Sequence, residues 1–269
     1  MTVRKIGPLL LAILLLGLAT GATASDIFKE RRWAEQIRDG LLVGEAQTLE
    51  ADGRGFLALF TPVPGDGIRG GAILLHGMGA HPNWPDVIGP LRRELPEARW
   101  ATLSLQLPVL PNDARPDEYL ALFPEADARI DAGIRQLERL GIKNIVIIGH
   151  SLGAAMGANF LAQRQQDYPT LRAFVGIGMN GRPGTPAYAP DALAKITLPV
   201  LDIYGSQDLD AVINTARARA GAARQAGNPA YRRVEIPGAD HFFRGLDATL
   251  VKRVASWLTR TAPGTQINR

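Results

Sequence analysis

The pentapeptide Gly149-His150-Ser151-Leu152-Gly153 sits between an unbroken apolar run, 145–148, and the small-residue run Ala154-Ala155-Met156-Gly157-Ala158. A serine hydroxyl becomes a nucleophile only where it is exposed, held and relieved of its proton. A sharp turn from strand to helix exposes it. Glycines two residues before and two after remove Cβ atoms that would strike the neighbouring strand and helix. The helix that starts there also aims backbone N–H groups at the point where negative charge develops. Glycine and serine are common in turns, so the pentapeptide gains its weight from its place between an apolar strand and a helix.

Such a serine needs a base, and the chain has four histidines, His76, His81, His150 and His241. His150 lies inside the turn itself, where its ring points away from the serine. His76 and His81 follow the third strand-like run. His241 alone comes after the serine, in Pro237-Gly238-Ala239-Asp240-His241-Phe242-Phe243 behind the last such run. It is the expected base.

The imidazole in turn needs an acid to fix its tautomer. Asp208 stands at the mouth of Leu201-Asp202-Ile203-Tyr204-Gly205-Ser206-Gln207-Asp208 and is the first choice, with Asp210 as the alternative. Asp202 falls within the strand, and Asp240 adjoins the base but faces elsewhere.

Two N–H donors must meet the developing oxyanion. One is Leu152, next to the nucleophile. The other is Met78, in the loop Leu75-His76-Gly77-Met78-Gly79, where glycines let backbone approach substrate. His76 is expected to shape this loop through hydrogen bonds. His76, Gly77, Trp84 and His150 are counted as substrate-contacting groups. His76 and His81 have no carboxylate beside them, so no metal is expected, and nothing calls for an organic cofactor.

The elements that must position these groups are legible as alternating patterns. The segment 27–41 reads as an opening helix. Residues 45–50 and 55–61 read as a hairpin turning at Asp52-Gly53. Six short apolar runs follow, at 72–75, 100–105, 144–148, 174–179, 200–204 and 233–236. Helical stretches at about 86–94, 124–140, 152–164, 210–226 and 246–260 lie between them. Alternation of this kind builds a mostly parallel sheet with helices on both faces, here of eight strands. Ile130, Ile134, Leu137 and Leu140 are spaced to form one buried helix face. The proline-stiffened segments 82–85 and 106–111 read either as acyl or aromatic subsites or as caps on the core. About twenty residues separate the fourth parallel run from Leu198, too few for a large cap domain, so an open site is expected.

The N-terminus has the layout of a secretory leader. Arg4 and Lys5 precede an uncharged run from 6 to 18, and small residues follow, ending Ala22-Thr23-Ala24 before Ser25. Cleavage after Ala24 is the expectation, with a retained membrane anchor as the alternative. A single domain over 25–269 remains, periplasmic or secreted, with no stable membrane span. There is no cysteine, so a core rather than disulfides must stabilise an exported chain. The formal charge is +4, about +2 once Arg4 and Lys5 leave with the leader. The pairs Arg31-Arg32, Arg92-Arg93 and Arg232-Arg233 are scattered, which suits a solvated basic face and not a nucleic-acid surface.

The His-Gly loop, the Gly-His-Ser-Leu-Gly turn, the Gly-x-x-Asp turn and the terminal Gly-x-x-His resemble the α/β-hydrolase superfamily in that order, over about residues 45–260. The segment from Leu75 through His81-Pro82-Asn83-Trp84-Pro85 to Arg92, with Thr102-Leu103-Ser104-Leu105-Gln106-Leu107-Pro108, resembles the DUF3530 group of exported bacterial proteins. This likeness implies a Gram-negative periplasmic setting and names no substrate. The leading expectation is hydrolysis of a small carboxylic ester through an acyl-enzyme. Amide, peptide or thioester cleavage is the second, since such a constellation does not choose its leaving group. A catalytically silent envelope binding protein on the same fold is the third.

Overall fold

A computed structural model of the chain describes residues 25–264, so the expected leader at 1–24 lies outside the described residues. The first helix, α1 (Ile27–Gly40), precedes a hairpin of β1 (Glu45–Ala51) and β2 (Arg54–Thr61). Asp52 and Gly53 turn it with φ of 50° and 72°, the paired positive angles that suit a two-residue hairpin. Thereafter strands and helices alternate: β3 (Gly70–Leu75), α2 (Ile88–Glu94), β4 (Trp100–Leu105), α3 (Phe123–Arg139), β5 (Ile145–His150) and α4 (Leu152–Arg164). The second half runs β6 (Leu171–Ile177), α5 (Ala189–Leu193), β7 (Val200–Gln207), α6 (Asp210–Gln225), β8 (Tyr231–Asp240) and α7 (Asp247–Thr261). The sequence patterns foretell all of these except the short α5.

The eight strands form one sheet in the order β1-β2-β4-β3-β5-β6-β7-β8. β1 and β2 are antiparallel additions, and the remaining six are parallel. Every residue of β3, β4 and β5 is buried, as parallel strands covered on both faces require. Alternate side chains divide between two cores. Ile73, Leu75, Ile145 and Ile147 pack with α3 and α4 on one face. Ala72, Leu74, Val146 and Ile148 pack with α2 and α7 on the other.

Two local expectations are corrected and one open alternative is decided. α3 ends at Arg139, so Leu140 is 46% exposed instead of sharing the buried face of Ile130, Ile134 and Leu137. Arg92 is no surface charge: it is buried and donates to Val43 O, Thr61 Oγ1 and Asn83 Oδ1. The 106–111 segment caps the core, with Leu107, Val109 and Leu110 buried. Among the described residues no helix is long and apolar enough to cross a membrane.

Candidate active site

β5 is central, and its C-terminal end is where the chain must reverse into α4. Ser151 occupies the reversal with φ 53° and ψ −119°. A non-glycine residue rarely adopts such angles, and they persist only where the surroundings over-determine them. Here Ser151 N donates to Ile177 O at 2.9 Å, and Ser151 O accepts from Ala154 N and Ala155 N. A Cβ on Gly149 would lie 2.5 Å from Ala154 Cα, and one on Gly153 would lie 2.3 Å from Leu75 O. The glycines are therefore demanded by backbone on either side of the serine.

β7 and β8 bring in the other two groups. Their pairing breaks register between Gly205 and Gln207, then resumes with Gln207 opposite Asp240. Each strand's next residue is thereby carried to the same end of the sheet: Asp208 from one and His241 from the other. His241 Nδ1 lies 2.5 Å from Asp208 Oδ1, and the Asp208 side chain has no exposure. Leu209 N also donates to Oδ1 at 2.7 Å, which holds the carboxylate toward the ring. Gly178 leaves room for that ring, since a Cβ there would sit 2.9 Å from His241 Cε1. Asp210, the alternative acid, is exposed at the start of α6. Asp240 accepts from Phe242 N and Arg244 N, and Asp202 pairs with Arg219 in the core. The carboxylate that meets His241 is Asp208.

Ser151 and His241 line one cavity of about 780 Å³ above the sheet's C-terminal edge. Among the described residues no hydrogen bond joins Ser151 Oγ to His241 or to any other group. Met78 and Leu152 line the same cavity, and neither amide donates to a protein acceptor among the described residues.

Gly77, Trp84 and His150 also line it, whereas His76 does not. His76 is 1% exposed, and its Nε2 accepts from Leu107 N at 2.9 Å. Its place as a substrate contact is corrected: its ring bonds Gly77 O of its own loop and Gln106 and Leu107 behind that loop, away from the cavity. Burial pushes its imidazole down to about 3, so it stays neutral, with Nδ1–H donating to Gly77 O at 2.9 Å. His150 is held likewise, Nε2–H donating to His241 O at 2.9 Å. Burial first, and then the neighbouring His241, push His150 down to about 4.

Sequence reasoning missed the rest of the wall. Arg115, Asp117 and Leu120 come from the loop after β4, Asn180 and Arg182 from the loop after β6, and Leu209 and Phe242 from the strand ends. These residues carry no spacing signal, because they lie in loops, a short 3-10 turn at Glu118–Leu122 and the positions just past strand ends. Trp84 is steadied by an edge-on contact with His81, which makes another with Trp33 of α1. Among the described residues no cluster of histidine and acidic side chains is grouped to hold a metal ion.

The fold is widely shared among solved structures. A dienelactone hydrolase from Anabaena variabilis superposes with TM-score 0.63 at 22% identity, covering 81% of this chain and 97% of its own. A lidless a/b serine hydrolase from Xanthomonas campestris gives 0.62 at 16%, covering 83% and 97%. The esterase domain of a Rhodothermus marinus protein gives 0.59 at 16%, covering 81% and 98%. At such identities the likeness speaks for the fold. No curated protein matches the chain. The family described as "Protein of unknown function (DUF3530)" matches residues 26–128 and 120–260. By that match, and by the architecture above, the chain belongs to the DUF3530 family and carries an α/β-hydrolase fold.

Proposed function

We propose that the protein is a serine hydrolase that cleaves a carboxylic ester through an acyl-enzyme. One observation carries the reading: a serine held at positive φ shares a cavity with a histidine whose Nδ1 meets a buried carboxylate at 2.5 Å. With Nδ1–H committed to Asp208, the Nε2 lone pair is the free basic site. It takes the Ser151 proton as Oγ adds to the acyl carbon, and Asp208 stabilises the imidazolium that results. The Met78 and Leu152 amides receive the oxyanion. Collapse expels the alcohol, which takes its proton from His241, and water repeats the sequence on the acyl-serine. The Ser151–His241 hydrogen bond forms as substrate enters, since such bonds are often long in empty sites.

Apolar groups such as Trp84, Leu120, Leu152 and Phe242 in the wall suit a small acyl or aryl ester. The ester-cleaving names among the fold neighbours, an esterase domain and a dienelactone hydrolase, support the same choice. A fluorophosphonate probe tests the chemistry. It is expected to label the wild type and not Ser151→Ala, and a folded wild type that resists labelling would leave only the binding scaffold. Among substrates, p-nitrophenyl acyl esters are expected to turn over faster than matched peptides and thioesters; the reverse ranking overturns the ester assignment.

We also propose that the chain is exported and acts in the periplasm or outside the cell, on the leader-like residues 1–24. N-terminal sequencing of the mature protein is expected to begin at Ser25. Recovery of the uncleaved chain in membranes would overturn this.

A further inference from the structure

Helix α1 and the 106–110 segment are joined by buried polar groups that the chemistry above does not use. Asp26 N donates to Val109 O at 2.7 Å, Val109 N donates to Glu30 Oε1 at 3.2 Å, and Lys29 Nζ donates to Leu110 O at 2.9 Å. Glu30 Oε2 pairs with Arg129 Nη2 at 2.9 Å, with side chains 9% and 5% exposed. Arg129 Nη1 donates onward to Gln106 O at 2.8 Å. Gln106 is itself 1% exposed, and its Nε2 donates to His76 Nε2 at 3.1 Å and to Leu107 O at 2.7 Å. His76 closes the line by donating from Nδ1 to Gly77 O.

The end of that line matters because Gly77 O and Met78 N–H belong to one planar trans peptide, in which the carbonyl and the amide point in opposite directions. Gly77 O is held from the protein side by His76 Nδ1–H and by Ala80 N–H at 3.3 Å. A carbonyl held inward turns the Met78 N–H outward, toward the cavity that Met78 lines.

From this geometry we infer that Glu30, Arg129, Gln106 and His76 form a positioning relay that aims the Met78 amide, so that the first helix is a working part of the active site. The inference rests on the reading of Met78 as an oxyanion donor. None of the four residues lines the cavity. An oxyanion donor that is 1 Å or a few tens of degrees out of place loses transition-state stabilisation while ground-state binding survives.

The test compares Gln106→Leu, Glu30→Leu and Glu30→Gln in the full chain. Gln106→Leu removes the side-chain donor to His76 Nε2 and leaves the Leu107 N–H on that nitrogen, while the backbone acceptor of Arg129 remains. Glu30→Gln keeps one acceptor oxygen for Arg129 Nη2, the link the relay uses, and gives up the contact to Val109 N. With p-nitrophenyl acetate, Gln106→Leu and Glu30→Leu are expected to lose about 10–100-fold in kcat with KM within about twofold, in line with one weakened oxyanion donor. Glu30→Gln is expected to recover to within about threefold of wild type.

A second readout is independent of turnover: hydrogen exchange at the Ala80 amide is expected to quicken at least about tenfold in Gln106→Leu, because Gly77 O is its acceptor. Folded variants with unchanged kcat and unchanged Ala80 exchange overturn the relay, whatever their melting temperatures. An inactive wild type refutes the hydrolase reading alone, and the Ala80 exchange then still decides whether the line holds the loop. If Glu30→Leu fails to fold, Gln106→Leu carries both measurements.

Discussion

Alanine at position 153 sets local preference against tertiary contact at the turn that carries the serine. Gly153 is the second residue of α4, where alanine is favoured over glycine by up to about 1 kcal/mol on helix propensity. Propensity alone therefore forecasts a more stable protein. The tertiary structure forecasts the opposite, since the added Cβ would lie 2.3 Å from Leu75 O and 2.4 Å from His76 O. An ordinary carbon–oxygen contact is roughly 3.3 Å or more, so about 1 Å must open between α4 and the end of β3. β3 is hydrogen-bonded to β4 on one edge and β5 on the other, so the movement falls on α4 and on the loop that follows β3. Overpacking costs about 1–3 kcal/mol, and the upper end applies because both struck atoms are backbone.

For a chain of this length each kcal/mol moves the melting temperature by about 2–4 °C, which gives a fall of about 6–12 °C. His76 O begins the loop that bears the Met78 amide, and a displacement of about 1 Å there lowers turnover on the order of 100-fold. Gly221, in α6, is the matched control. Its Cβ would meet nothing within 4 Å, so Gly221→Ala is expected to add about 0.5–1 kcal/mol. Thermal unfolding and the rate of fluorophosphonate labelling measure both variants. A Gly153→Ala protein as stable and as quickly labelled as the wild type would refute the claim that backbone contact dictates this glycine.

Three further outcomes follow from particular contacts. Asp208→Asn is expected to lower kcat on the order of 10⁴-fold, as loss of the tautomer-fixing carboxylate does elsewhere, while exposed Asp210→Asn stays within about twofold; steady-state assays in which the two effects change places would overturn the acid assignment. Arg219→Met is expected to cost about 3–5 kcal/mol in urea unfolding, because it leaves the fully buried Asp202 with only Tyr231 OH as partner; the double variant Asp202→Leu/Arg219→Met is expected to lose less than the two single variants combined, and strict additivity would count against a coupled pair. Acid is expected to weaken the fold below pH 6.5, where unfolded histidine takes up protons that neutral buried His76 and His150 refuse down to about 3 and about 4. Each removes about 2 kcal/mol by pH 5. Asp127, which burial raises to about 6, and Glu30, also raised by burial, act in the opposite sense. His81, also lowered by burial, adds to the histidine side, so a net loss of stability between pH 7 and pH 5 is expected, and equal urea midpoints at the two values would contradict it.

What the sequence determined by itself was whatever short-range sterics decide. The glycines flanking Ser151, the positive-φ pair at Asp52-Gly53 and the buried runs of the parallel strands each follow from rules that act within a few residues. The order of Ser151, Asp208 and His241 along the chain was equally legible. Which of Asp208 and Asp210 meets the imidazole was decided only in three dimensions. It depended on a register break between β7 and β8 that sets residue 208, and not its neighbour two places on, beside the imidazole. The same is true of Arg92, whose buried partners come from β2 and two loops, and of the 106–111 segment, whose job is to receive α1. It is true most of all of Ser25 and Glu30, which meet Glu125 and Arg129 from about a hundred residues away. A buried charge is tolerated only where some other part of the chain supplies its counter-charge, and no local pattern of residues records where that part will come from.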